Sequence, residues 1–220
     1  MFKIHGNSLS IPCNKVLYTC NFLGIDYEWI EKEFRNGEMK TPEYLALHPA
    51  GKVPVMEDDG FILFESEAIC RYLCAKSGSA LYPEEIQARA LMDQWNAFSV
   101  NHVGLAMVKV VFNRLIAPMF DLPVDENSLK EGEEWLERYL PIVDQRLSES
   151  DYLAGDAITL ADITLLSFVE TADQAKVSLA PYPQLSKWLS GLQAQEFWKK
   201  AHLQTAASSL ASIGDGTGAD

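Results

Sequence analysis

The sequence predicts an α+β N-terminal domain followed by an all-α C-terminal domain. Three observations carry this. Up to Lys76 the chain mixes strand-like alternation with one-turn-in-four helical spacing. A polar, proline-containing connector, "SGSALYPEEIQ", then intervenes. Beyond it every apolar stripe has helical spacing.

The elements follow in order. "FKIHG" alternates and stops at Gly6, so it reads as a strand, and "NSLSIP" is a turn-rich loop. From Cys13 the apolar Val16, Leu17, Cys20 and Leu23 repeat at helical spacing, and Gly24 closes the run. "YEWIEKEF" alternates again. A parallel strand after a helix implies a right-handed crossover. Turn signals at Asn36-Gly37, Thr41-Pro42 and His48-Pro49-Ala50-Gly51 come next. "KVPVMED" and "FILFE" flank Asp58-Asp59-Gly60, a strong hairpin signal. Pro54 interrupts the first of these strands, so it belongs at an edge, a bulge or a cis turn. "SEAICRYLCAK" is helical, with Ile69, Tyr72 and Leu73 on one face and Ser66 as its N-cap.

In the second half a long apolar helix begins near Pro83 and is expected to bend near Gly104. The next helix carries a stripe of Trp135, Leu136, Leu140, Val143 and Leu147, with a kink expected at Pro141. "ITLADITLLSFVETADQAK" and "PQLSKWLSGLQAQEFWKKA" read as two further helices. Thr159-x-x-Asp162 forms a capping box flanked by Ile158 and Ile163. As a cap alone, Asp162→Ala is expected to cost about 1 kcal/mol or more.

The chain has 220 residues, 48% hydrophobic and 22% charged, which suits one large domain or two small ones. Its net charge of −13 repels nucleic acid and anionic membrane, so neither is an expected partner. The N-terminus lacks the basic start and apolar stretch of a signal peptide. No uninterrupted apolar run approaches the ~18 residues of a membrane span. Cytoplasmic placement is the expectation. Cys13, Cys20, Cys70 and Cys74 form no CxxC pair and lie near no histidine at zinc spacing, so neither a metal nor a disulfide is expected.

Taken together, "GKVPV", "DDGFILFESEAICRYL" and "ITLADIT", in this order and spacing, resemble the soluble glutathione transferases. The resemblance runs from Phe2 to about His202. It implies a thioredoxin-like domain of order β-α-β-α-β-β-α over 1–77, a linker over 78–86 and an all-helical bundle domain over 87–204. The small, polar stretch 205–220 reads as a mobile tail. The resemblance also implies a cis Val53–Pro54 bond, which turns the Val53 N–H and C=O outward to pair with an extended tripeptide. Taken alone, Pro54 reads equally well as an edge-strand marker. Glu65 and Ser66 match the family's clamp on the γ-glutamyl group. Glu65 suits the ammonium, and Ser66 at a helix start suits the carboxylate. Alone, the pair is an N-cap serine beside a solvated glutamate. By the same resemblance Lys52 lies beside the strand that pairs with glutathione, and Lys40 lies in the loop that meets its glycine carboxylate. Alone, each is a surface lysine.

Glutathione's thiol has an ordinary pKa near ~8.5, so the enzyme must stabilise the thiolate. A hydroxyl at a helix start does this by hydrogen bond and dipole. The first βα loop offers Ser8, Ser10 and Cys13. The segment Ser10-Ile11-Pro12-Cys13-Asn14-Lys15-Val16 resembles the active-serine segment of the theta type, and the phi type places its serine at the same distance from the matching valine. Both imply Ser10. Ser8 is the alternative if the loop shifts. Cys13 sits where a thiol pKa falls, and omega- and lambda-type enzymes use a cysteine in this region. Its alternative is a packing role.

Phe98, His102, Val103, Met107 and Phe112 are candidates to line a hydrophobic electrophile pocket facing the Ser10 loop. Taken alone they are helical core. The resemblance implies glutathione as co-substrate, conjugation to a small hydrophobic electrophile, and a two-fold homodimer. A glutathione peroxidase, isomerase or dehalogenase at the same site, and a non-catalytic binding or regulatory module, are the other readings. Ser10, Pro54, Glu65 and Ser66 together argue against the last.

Overall fold

The computed structural model describes residues 1–204, and the expected tail over 205–220 lies outside the described residues. The described chain forms two compact units, Met1–Ser79 with 194–204, and Ala80–Gln193. The first contains β1 (Phe2–Gly6), α1 (Ile11–Leu23), β2 (Tyr27–Glu31), a 3-10 turn (Glu38–Lys40), α2 (Pro42–Leu47), β3 (Val55–Asp58), β4 (Phe61–Phe64) and α3 (Ser66–Ser77). This is the thioredoxin-like order expected.

The sheet order is β2-β1-β3-β4. β1 runs parallel to β2, with Ile4 opposite Trp29, and antiparallel to β3, with Ile4 opposite Met56. β3 and β4 form the hairpin, with Val55 opposite Phe64. Asp59 (φ 48°) and Gly60 (φ 88°) are both left-handed, as a tight two-residue hairpin turn requires. Ile4, Val16, Leu17, Cys20, Ile69 and Leu73 are fully buried and form the core. Adjacent strand residues point to opposite faces. His5 therefore faces away from Ile4 and meets Tyr44 of α2, with ring centroids 6.2 Å apart.

The helical stretch 196–204, expected in the second domain, groups with the first unit. Its Phe197 and His202 rings lie 6.1 and 5.9 Å from the Tyr18 ring of α1. The Tyr27 hydroxyl donates to Gln204 Oε1 at 2.6 Å.

In the second unit, α4 (Ile86–Phe98), a π-helical turn (Ser99–Gly104), α5 (Leu105–Val111), a second π turn (Phe112–Ile116) and α6 (Ala117–Met119) make one helical run. The expected irregularity near Gly104 takes the form of the first π turn. A Cβ on Gly104 would come within 2.6 Å of the Phe168 ring, so close packing holds a glycine there. The run Ile86–Met119 is long and apolar enough to cross a membrane by length and composition. Of its most apolar window, 44% is buried inside the protein.

α7 (Glu126–Glu149) continues unbroken through Pro141. Leu136, Leu140, Val143 and Leu147 form its buried stripe. Trp135, expected in that stripe, is only half-buried, and its ring carries the Lys109 ammonium 5.2 Å from the centroid. α8 (Leu160–Val169) is buried on every side, and its polar Asp162, Thr164 and Ser167 are hydrogen-bonded within the core. α9 (Pro183–Gln193) buries Leu185, Trp188 and Leu192.

Candidate active site

Ser10 is the N-cap of α1, with extended backbone (φ −89°, ψ 114°). An N-cap serine ordinarily accepts from the N–H of the second or third helical residue. Here the second is Pro12, which has no N–H, and the Cys13 N–H donates to the Ser10 carbonyl at 2.9 Å. The Ser10 hydroxyl therefore makes no cap bond. The Cys13 thiol lies near enough for the Ser10 side chain to favour its ionised form. The loop before it is fixed by Asn7, which is nearly fully buried. The Asn7 side chain donates to the Lys32 carbonyl at 2.7 Å and accepts from the Leu9 N–H at 2.9 Å, and its carbonyl accepts from the Ser10 N–H at 3.0 Å.

The two alternatives to Ser10 are placed differently. Ser8 is half-buried, and its N–H donates to Glu31 Oε1 at 2.9 Å. Cys13 is fully buried, and burial pushes its thiol up to about 12 against the lowering influence of Ser10. A raised pKa favours the protonated thiol, the less nucleophilic form.

The Val53–Pro54 peptide is cis. β3 begins only at Val55, so Val53 stands outside the ladder at its entrance. Lys52 is exposed, and its carbonyl accepts from the Tyr44 hydroxyl at 2.8 Å. At the far end of the hairpin, Glu65 rather than Ser66 is the N-cap of α3, which moves the expected cap by one residue. Glu65 has φ 71° and ψ 112°, a left-handed conformation that is uncommon for a residue with a side chain. Such a turn lets the chain reverse sharply out of β4, so Ser66 becomes the first helical residue. Its N–H and those that follow have no partner inside the helix. Glu65 is exposed and Ser66 half-buried. Backbone outliers of this kind concentrate at binding sites.

Lys40 ends the 3-10 turn and is exposed. The first unit thus carries Ser10, Lys40, Lys52, Val53, Pro54, Glu65 and Ser66. Phe98, His102 and Met107 belong to the second. Phe98 and His102 are half-buried and form an aromatic cluster with Tyr139 of α7, His102 lying 4.9 Å from each of the other two rings. Met107 is 1% exposed and is part of the helical core.

Sequence reasoning missed the residues that support this frame. Besides Asn7 and Tyr44 these are Lys15 and Glu67. Lys15 on α1 is 3% exposed and paired with Glu67 in the first turn of α3, which also pairs with Arg71 at 3.5 Å. This ties together the two helices that begin near Ser10 and at Ser66. No local signal marks such a pair, since its members are far apart in sequence. Among the described residues no group of three or more His, Cys, Asp or Glu is placed to hold a metal ion.

Comparison with known proteins adds two family matches. Residues 10–76 match the glutathione S-transferase N-terminal domain, and residues 105–196 match the glutathione S-transferase C-terminal domain. A probable glutathione S-transferase GSTF2 from Oryza sativa subsp. japonica is 33% identical over 88% of this chain and 92% of its own. The crystal structure of glutathione transferase F2 from Populus trichocarpa superposes with a TM-score of 0.90 at 32% identity, covering 94% of this chain and 100% of that one. Glutathione S-transferase I from maize, solved in complex with an atrazine glutathione conjugate, superposes at 0.86 with 30% identity, covering 93% and 98%.

Proposed function

The chain belongs to the glutathione S-transferase family and is an enzyme of that kind, and we propose that the Ser10 hydroxyl is the group that holds glutathione's sulfur as the thiolate. The observation that carries this reading is the hydroxyl's freedom from capping at the start of a 13-residue helix. With no cap bond to give up, the hydroxyl is available to a glutathione thiolate, a far stronger acceptor than the neutral Cys13 thiol. The positive end of α1 favours the same charge.

In the proposed cycle glutathione lies extended along Val53, whose N–H and C=O take the backbone bonds a neighbouring strand would take. Ser66 meets the γ-glutamyl carboxylate at the start of α3, and Glu65 meets the ammonium. Lys52 and Lys40 supply positive charge along the strand and toward the glycine carboxylate. Ser10 donates to the sulfur, lowering the thiol pKa, and the thiol proton passes to solvent. The thiolate forms a carbon–sulfur bond with a small hydrophobic electrophile, and with an aryl halide the carbon–halogen bond breaks and halide leaves. Phe98 and His102 are the proposed contacts for that electrophile, with Met107 supporting them by packing. The maize relative's atrazine glutathione conjugate makes an aromatic halide the first electrophile to try. We also propose a homodimer. In support, the edge strand β4 leaves Phe61, Ile62 and Phe64 37–49% exposed, an apolar surface of the kind a partner covers.

The test is Ser10→Ala beside Cys13→Ser. Loss of one donor to a developing or stabilised anion lowers kcat by about 10²–10³. Ser10→Ala is expected to show that loss while binding S-methylglutathione within a few-fold of wild type. It should also lose the ultraviolet absorbance of the bound thiolate. Cys13→Ser is expected to keep its turnover. Loss of activity in Cys13→Ser with Ser10→Ala unaffected refutes the assignment.

A further inference from the structure

We propose that His48 is a positioning residue for glutathione binding, its neutral ring latching the turn that presents Val53. The inference rests on the glutathione site just proposed and concerns what holds that site in shape. His48 follows α2, is 3% exposed, and closes the helix by donating its N–H to the Tyr44 carbonyl at 2.9 Å. Its carbonyl accepts from the Gly51 N–H at 2.8 Å, and its Nδ1 accepts from the Ala50 N–H at 3.2 Å. An accepting Nδ1 carries no proton, so the ring's single hydrogen is on Nε2.

Three further contacts make this a latch and not a local turn. Tyr44, one turn earlier on α2, donates its hydroxyl to the Lys52 carbonyl at 2.8 Å. Two side chains, Tyr44 on α2 and His48 at its C-cap, thus fasten the stretch Ala50–Lys52 that leads to Val53. On the other side Gly51 is left-handed (φ 58°), and a Cβ there would lie 2.5 Å from the Met39 carbonyl oxygen, so the stretch has no slack. The His48 ring also packs on Phe64, centroids 4.6 Å apart at 33°. Phe64 pairs with Val55 and immediately precedes Glu65. The ring therefore touches both arms of the proposed cradle, the Val53 arm and the Glu65–Ser66 arm.

Protonation at Nδ1 would set two donors against each other at Ala50. Burial lowers the ring's pKa, with Glu65 pulling it up and Lys52 pushing it down. Among the described residues those two are the charged side chains that act on it, and the nearby Tyr44 hydroxyl is engaged with the Lys52 carbonyl. A ring held neutral in the bound state means that acid weakens binding, since protons favour the unlatched form.

The experiment measures binding of S-methylglutathione, whose sulfur cannot titrate, by calorimetry on the full chain. The variants are His48→Asn and His48→Leu. Asparagine keeps an acceptor for the N–H two residues on and does not titrate, whereas leucine fills the space without an acceptor. At about pH 7.5 His48→Asn is expected within about two-fold of wild type and His48→Leu about five-fold weaker, the worth of one hydrogen bond. Because burial lowers the ring's pKa, wild type should hold its affinity down through the ordinary histidine range and lose it only further into acid, while His48→Asn stays flat. His48→Leu binding as wild type does, or His48→Asn losing affinity with acid as wild type does, overturns the proposal. If melting shows that His48→Leu does not fold, the pH comparison between wild type and His48→Asn decides alone. Absence of binding by wild type at every pH would instead overturn the glutathione site itself.

Discussion

Asp162→Ala is expected to cost far more than the loss of a helix cap. Asp162 is fully buried, and its two carboxylate oxygens accept four hydrogen bonds. Oδ1 takes the Leu153 N–H at 3.0 Å and the Trp188 indole N–H at 3.2 Å. Oδ2 takes the Thr159 N–H at 2.9 Å and the Thr159 hydroxyl at 3.0 Å. Leu153, Thr159 and Trp188 are themselves 0%, 6% and 6% exposed. Alanine removes every acceptor and leaves three N–H groups in a dry interior. Each buried donor left unmatched costs about 1–3 kcal/mol. The hydroxyl can rotate to another partner, and water entering the space vacated by the carboxylate offsets part of the loss. With each of the three donors, the capping-box bond to Thr159 among them, in the lower half of that range, the total is about 3–5 kcal/mol.

That is a large part of the ~5–15 kcal/mol that holds a domain folded. The assay is urea unfolding followed by tryptophan fluorescence, with Trp188 among the reporters, and by far-ultraviolet circular dichroism. The midpoint should fall steeply with an unchanged m-value. Asp162→Asn, which keeps one oxygen but turns an NH₂ toward the remaining donors, should fall nearer to alanine than to wild type. A loss of about 1 kcal/mol or less for Asp162→Ala, at constant m, refutes the reasoning, because a cap alone accounts for that much.

Two further predictions concern the first unit. Asp58 accepts from the Tyr72 hydroxyl at 2.6 Å and pairs with Lys76, and these two hold its carboxyl below the usual range. Its stabilising contribution is therefore present above the ordinary carboxylate pKa and is lost as pH falls through the depressed folded value. The melting-temperature gap between wild type and Asp58→Asn should be widest near neutrality and shrink below about pH 4. A gap that stays constant into acid contradicts this. For the Lys15–Glu67 pair, removal of either partner should be unequal. Glu67→Gln leaves the Lys15 ammonium, 3% exposed, without its carboxylate, and breaking a buried pair costs about 3 kcal/mol or more. Lys15→Met leaves a glutamate that is 25% exposed and still paired with Arg71, and should cost about 1 kcal/mol. Equal losses in chemical denaturation would show that the pair is not buried in the sense claimed.

The sequence by itself determined the features that act over a few residues. Gly24 closes α1 in a left-handed conformation (φ 65°), Asp59-Gly60 makes the hairpin turn, and Thr159 and Asp162 make the capping box. Turn and cap chemistry is local, so composition and spacing record it. The family motifs extended this to the thioredoxin-like order and to the cis Val53–Pro54 bond, where proline limits the options to a few. The tertiary structure alone decided what supports those features. Asn7 braces the Ser10 loop against Lys32, and Lys15 reaches Glu67 across two helices. Tyr44 on α2 and His48 at its C-cap hold the turn before Val53, Trp188 completes the shell around Asp162, and Glu65 takes the cap position expected of Ser66. Most of these partners lie well apart along the chain, so packing and not local propensity brings them together. The Glu65 cap depends on how β4 and α3 meet. A buried donor finds its acceptor only once the core has formed, and no spacing in the sequence announces which one it will be.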